Sequence, residues 1–197
     1  MNALYALAYV ICRIGFFFWH PIFRVRGREN IPQGGALLCS NHSGMADPLW
    51  IIFALGFSRR THIMAKAQLM KIPVLGAILR WVGVFGVNRG NNDIGAIKTG
   101  LSILKSGQRL LLFPEGTRVR PPERIPAKSG AALFAMRTDS RVVPIYVTPR
   151  KAPFMPVTVV FGKPYRMTCA GKKPTPEELQ SSADDLLERI YALGETL

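Results

Sequence analysis

The stretch Asn41-His42-Ser43-Gly44-Met45-Ala46-Asp47-Pro48 holds the residue types that can move a proton. An apolar run, Ala36 to Cys39, precedes it and reads as a buried strand. Another, Leu49 to Phe57, follows it and reads as a helix. Pro48 suits the first helical position and Asp47 the N-cap before it. His42 then ends a strand and Asp47 opens a helix, with Gly44 turning the chain so that the two side chains converge. A carboxylate on one ring nitrogen fixes the imidazole tautomer and leaves the other nitrogen free to take a proton. The same spacing also suits a polar-loop histidine beside a capping aspartate, and this stretch alone does not separate the two readings.

Two conceivable nucleophiles lie close by, Cys39 and Ser43. Cys39 falls within the apolar strand. Ser43 adjoins His42 along the backbone, an awkward place for activation by that ring. Core filler and turn residue are the better readings. Downstream, Phe113-Pro114-Glu115-Gly116-Thr117-Arg118 follows the apolar run Leu110-Leu111-Leu112. Arg118 supplies a planar fork for a phosphate monoester, and Gly116 lets the backbone approach closely. Glu115 can hold that arginine or accept hydrogen bonds from hydroxyl groups. A strand-end turn with a surface Arg–Glu pair is the plainer alternative.

In this order, and some seventy residues apart, the two segments resemble the 1-acylglycerol-3-phosphate acyltransferase family of phospholipid synthesis, over most of the chain. The resemblance implies transfer of a fatty acyl group from a thioester to the sn-2 hydroxyl of lysophosphatidic acid, giving phosphatidic acid. It makes His42 the general base and Asp47 its orienting partner. It assigns the acceptor's phosphate to Glu115, Gly116, Thr117 and Arg118, with Arg89, in Gly86-Val87-Asn88-Arg89, as a second cation. The block ending at Arg89 starts with Lys66, Leu69, Pro73 and Gly76. By resemblance Lys66 lies near the thioester carbonyl and helps an oxyanion site, though a surface lysine fits as well. Val143-Pro144-Ile145-Tyr146 resembles a fourth block and reads as sheet core and acyl-chain wall. No cofactor or metal is implied; the co-substrate is acyl-CoA or an acylated carrier protein. Met45 departs from the small or polar residue usual at its position.

Lys and Arg total 26 against 12 acidic residues in 197, a net charge of +14. Such a balance suits anionic partners, here a membrane surface with anionic lipids and a phosphorylated substrate. The basic residues are scattered, without zinc-finger spacing or an aromatic RNA-binding signature, so nucleic acid is not expected. Three cysteines without framework spacing fit a reducing compartment. Other readings are an acyltransferase for another lysophospholipid, a metal hydrolase using His42, Asp47, His62 and Glu115, and a non-catalytic basic scaffold on membranes. The hydrolase lacks a recognisable ligand spacing.

The elements that must position these residues alternate. Strands are expected at 22–27, 36–40, 62–65, 84–87, 110–113, 142–147 and 157–161. Helices are expected at 48–57, at 73–81, from Ile94 (capped by Asp93, apolar at Ile94, Ile97, Leu101 and Leu104), and at 128–137. A last helix follows the capping box Thr175-Pro176-Glu177-Glu178. This argues an α/β fold with a mostly parallel central sheet flanked by helices, whose sites form at the carboxyl ends of strands. Residues 24–197 form the catalytic domain and residues 1–23 an N-terminal membrane-interface helix. The latter is rich in Phe16, Phe17, Phe18 and Trp19 but interrupted by Arg13. The expected location is the cytoplasmic face of the cell membrane, peripheral or monotopic; packing of residues 1–23 on the domain is the alternative.

Overall fold

The computed structural model describes residues 3–56, 60–88, 93–149, 151–171 and 173–197. Helix α1 (Ala3–Trp19) leads through β1 (Phe23–Arg26), β2 (Ala36–Ser40), α2 (Asp47–Leu55), β3 (Thr61–Lys66), α3 (Leu75–Trp81) and β4 (Val84–Val87). The chain continues with α4 (Ile94–Lys105), β5 (Arg109–Leu112), α5 (Gly130–Thr138), β6 (Val142–Val147), β7 (Val157–Phe161) and α6 (Pro176–Gly194). The strands form one sheet in the order β1-β7-β6-β2-β5-β3-β4. Every neighbouring pair is parallel except β6 and β7.

Uniformly apolar strands arise here because helices cover both faces. Alternate residues of β2 face opposite ways: Leu37 and Cys39 join the core under α4, α5 and α6, while Ala36 and Leu38 join the core under α1 and α2. On the first face α4 buries Ala96, Gly100, Ile103 and Leu104. The helix is therefore rotated from the expected apolar face, and Ile94 is exposed. Asp93 caps it as expected, its side chain accepting from the Ala96 N–H. The capping box at Thr175 and Glu178 is also present, and α6 buries Leu186 and Ile190. Two helices begin later than expected, α5 at Gly130 and α3 at Leu75. In the latter case Val74 precedes the helix at φ 61, so the helix cannot run back to Pro73.

The reversal between β6 and β7 decides what surrounds the site. Strand β6 ends at the sheet's carboxyl edge, so the chain after it stays on that edge until β7 runs back. Strand β1 is parallel to β7, so it starts at that same edge. The end of α1 is thereby delivered there too, and Phe154 N–H bonds to the Trp19 carbonyl at 2.9 Å.

Helix α1 has two apolar faces with different fates. Phe16 stands edge-on to Trp50 and Phe53 of α2, with ring centroids 5.0 and 5.5 Å away, and Tyr9 donates its hydroxyl to the Phe53 carbonyl. Arg13 turns toward the domain, 4.9 Å from the Phe23 ring. Opposite, Leu7, Ile11, Ile14 and Phe18 form an exposed stripe at helical spacing. The segment thus packs on the core and presents an uncovered apolar face as well. No helix among the described residues is long and apolar enough to cross a membrane. Phe16→Ala should lower stability by about 2 kcal/mol in urea unfolding, whereas Phe18→Ala, at a site 72% exposed, should change it by less than about 0.5 kcal/mol.

Candidate active site

The loop after β2 leaves the sheet at Asn41, whose side-chain amide bonds both the N–H and the carbonyl of Val147 in β6 at 2.8 and 2.9 Å. That pair fixes where the next residue, His42, starts. Its Nδ1 lies 2.9 Å from Asp47 Oδ2. Because a carboxylate only accepts, Nδ1 carries the hydrogen and Nε2 presents a lone pair. The ring is 14% exposed and stacks on Phe113, centroids 4.2 Å apart. Among the described residues Nε2 has no hydrogen-bond partner.

Asp47 does not cap α2 as expected. It is the first residue of that helix, and its carboxylate turns back under the loop. Oδ2 accepts the N–H groups of Ser43 and Gly44, each at 2.7 Å, besides the imidazole. Oδ1 pairs with the Lys151 ammonium at 2.6 Å. Asp47 is fully buried. Burial alone would push its carboxyl up; the bonds from His42, Lys151 and the Gly44 N–H outweigh that and hold it below the ordinary carboxylate range.

Glu115 departs most from expectation. It is 1% exposed, and neither oxygen is turned to an acceptor. Oε2 accepts the backbone N–H of His42 at 2.6 Å, and Oε1 accepts the hydroxyl of Tyr191 from α6. The expected pairing with Arg118 or with substrate hydroxyls is replaced by a buried brace behind the histidine. Burial pushes its carboxyl above the usual range despite the Tyr191 and His42 bonds.

Gly116 takes φ 66 in the turn after Glu115, a conformation natural for glycine. Thr117 and Arg118 are exposed beyond it. The next N–H, that of Val119, donates to the His42 carbonyl at 2.7 Å. Arg118 is therefore carried to the histidine by the backbone. Lys66 ends β3, exposed, at the same sheet edge; β3 lies two strand spacings, about 10 Å, from β2. Arg89 lies outside the described residues. His62 is at the opposite edge, near the start of β3, and bonds Gln108 just before β5. It cannot join His42 and Glu115 in a metal site, and among the described residues no three metal-ligating side chains converge. Cys39 is buried in β2, and burial pushes its thiol well up, away from the reactive thiolate.

Three participants were not foreseen: Asn41, Lys151 and Tyr191. Asn41 adjoins the histidine and could have been suspected from that place. Lys151 and Tyr191 carry no local signal, since each meets the site only across the folded sheet. A half-open cavity of about 520 Å³ adjoins Lys151 between α1 and α2, walled by Phe16, Trp19, Ala46 and Trp50.

An imidazole aimed by a buried aspartate at the carboxyl edge of an α/β sheet has the arrangement that general-base chemistry on a hydroxyl or water requires. Residues 22–148 match the Acyltransferase family model, and the chain belongs to that family. It is 28% identical over 180 residues to a 1-acyl-sn-glycerol-3-phosphate acyltransferase of Bacillus subtilis, a match covering 88% of this chain and 89% of the relative. It is 32% identical over 124 residues to a protein of the same name from Borreliella burgdorferi, covering 61% of this chain and 49% of the relative. Its fold is shared with the crystal structure of the 1-acyl-sn-glycerophosphate acyltransferase PlsC from Thermotoga maritima, with TM-score 0.69 and 22% identity over 93% of this chain and 75% of that one.

The two buried carboxylates respond oppositely to pH. Asp47, held low, contributes stability that is present above its ordinary range and lost as pH falls through the folded value. Glu115, held high, favours the fold fully below its ordinary range, an advantage lost as pH rises through the folded value. Glu115→Gln should keep the acceptor for His42 N–H and gain on the wild type as pH rises from 4 to 7. Glu115→Ala should cost roughly 2–4 kcal/mol at pH 4, because it strands a buried N–H and opens a cavity, and less as the pH rises. Urea titrations of both variants across that range check the signs.

Proposed function

We propose that the protein transfers a fatty acyl group from a thioester to the sn-2 hydroxyl of 1-acyl-sn-glycerol-3-phosphate (lysophosphatidic acid), giving phosphatidic acid. The observation that carries this is the oriented imidazole: His42 Nδ1 bonded to buried Asp47, Nε2 open, and Arg118 one residue from the backbone bond between Val119 and His42. Nε2 takes the hydroxyl proton as that oxygen attacks the thioester carbonyl. The tetrahedral centre collapses with cleavage of the carbon–sulfur bond, and the departing thiolate takes the proton from the imidazolium. Asp47 stabilises the cationic ring between these events. The thioester is already activated, so direct transfer needs no acyl-enzyme.

The donor's thioester belongs to acyl-CoA or an acylated carrier protein, both acidic and both suited to a chain of net charge +14. Lys66, with Arg89, adds positive charge for the carbonyl oxygen and the acceptor's phosphate. The cavity between α1 and α2 offers an acyl chain an apolar place beside the loop. The uncovered stripe on α1 suits a helix lying in the interface of an anionic bilayer, at the cytoplasmic face.

Purified protein in detergent, given lysophosphatidic acid and a labelled acyl thioester, should form phosphatidic acid. His42→Ala should lose at least about a hundredfold in kcat with its fold intact, and Asp47→Asn somewhat less, since the ring remains but is misdirected. Near-normal turnover in either variant sinks the general-base reading. Arg118 is assigned to the acceptor's phosphate, where charged hydrogen bonds are worth roughly 1.5–3 kcal/mol. Arg118→Ala should raise the acceptor's KM about tenfold to a hundredfold and leave the donor's nearly unchanged; Lys should recover only part. A rise in the donor's KM instead would reverse the two substrates.

A further inference from the structure

We propose that Lys151 is a positioning residue for this transfer: its ammonium clamps Asp47 Oδ1 so that Oδ2 stays turned to His42, and its charge offsets the aspartate's beside the ring. The role in turnover rests on the reading above; the link between Lys151 and His42 does not.

The geometry is specific. Lys151 is only 9% exposed, lies 2.6 Å from Asp47 Oδ1 and donates to Ser43 Oγ at 3.0 Å. One ammonium therefore ties the carboxylate of α2 to the turn that follows His42. A carboxylate free to rotate about its last bond would spread its two oxygens among the imidazole and the Ser43 and Gly44 N–H groups. With Oδ1 clamped, Oδ2 is the oxygen that faces all three. The same pairing excludes another use for the residue. A lysine beside a serine can act as the base of a nucleophilic pair, but a nitrogen paired this closely with a carboxylate carries a charge rather than a lone pair.

The second effect is electrostatic. The groups facing His42 are Asp47 from α2, Glu115 from the loop after β5 on its backbone N–H, Tyr191 of α6 behind Glu115, and Lys151 from the loop after β6. Phe113, stacked on the ring, is neutral. The carboxylate that meets the imidazole is thus that of Asp47, and Lys151 is the cation paired with it; Glu115 meets only the backbone N–H, and burial works against its charge. Removing the cation would leave an imidazolium beside uncompensated negative charge, which favours the protonated ring and disables the base.

Nuclear magnetic resonance of the resting protein with labelled histidine reads this without substrate. There are three histidines, His20, His42 and His62, and His42→Gln assigns the signal. In Lys151→Met the His42 ring should take up its proton at roughly tenfold lower proton concentration than in the wild type, while Lys151→Arg should differ by less than about threefold. In turnover, the acid limb of the kcat profile should move to higher pH in Lys151→Met and return in Lys151→Arg, with both KM values changed less than about threefold. An unchanged His42 titration in Lys151→Met overturns the proposal, as does an equal loss of rate at every pH that Arg does not rescue. If Lys151→Met fails to fold, Lys151→Gln, which keeps a donor without the charge, reads the same shift. Wild-type protein that forms no phosphatidic acid defeats the preceding reading, while the titration still decides the Lys151–His42 link.

Discussion

The site depends on a single buried carboxylate being fully occupied. An aspartate removed from water is costly unless donors surround it. Asp47 has an ammonium on one oxygen, and an imidazole and two backbone N–H groups on the other. Those donors come from the turn after β2 and from the loop after β6. Satisfying the charge therefore requires the turn, the start of α2 and the middle of the sheet to be in register. The orientation of the histidine and the local folding are one condition here.

Glu115 plays the complementary part from the other side. It grips the histidine's backbone, not its ring, and is itself gripped by Tyr191. The imidazole is thus oriented through its side chain by one carboxylate and through its main chain by another. The two differ in temperament. The donors around Asp47 keep it ionised, whereas burial works against the charge on Glu115. Only the first is suited to steadying a transient imidazolium.

Much of the fold was legible in the chain, because the physics there is local. Val84–Val87, Val142–Val147 and Val157–Phe161 are apolar runs between turn residues, and each is a strand with those bounds. The cap at Asp93 and the capping box at Thr175 need only neighbouring residues. Rotation of α4 about its axis was not legible, since the fit of Gly100 against the Phe134 ring selects the buried face. At the site, His42 and Asp47 are five residues apart and the turn between them could be read. The swap of Glu115 from ligand-holder to brace could not, because it depends on a hydroxyl 76 positions away. Lys151 meets Ser43 across 108 positions and left no trace in its own neighbourhood.

The reversal of β7 has an evolutionary consequence. Connections between parallel neighbours must cross the sheet, so their length and packing are constrained by the helix they contain. The segment between β6 and β7 joins antiparallel neighbours and has no such duty, so it can lengthen, shorten or change composition while the layers stay put. That adaptable segment is also where Lys151 sits. The charge set against Asp47 can therefore change separately from the histidine and aspartate themselves, through a segment that the layers of the fold do not constrain.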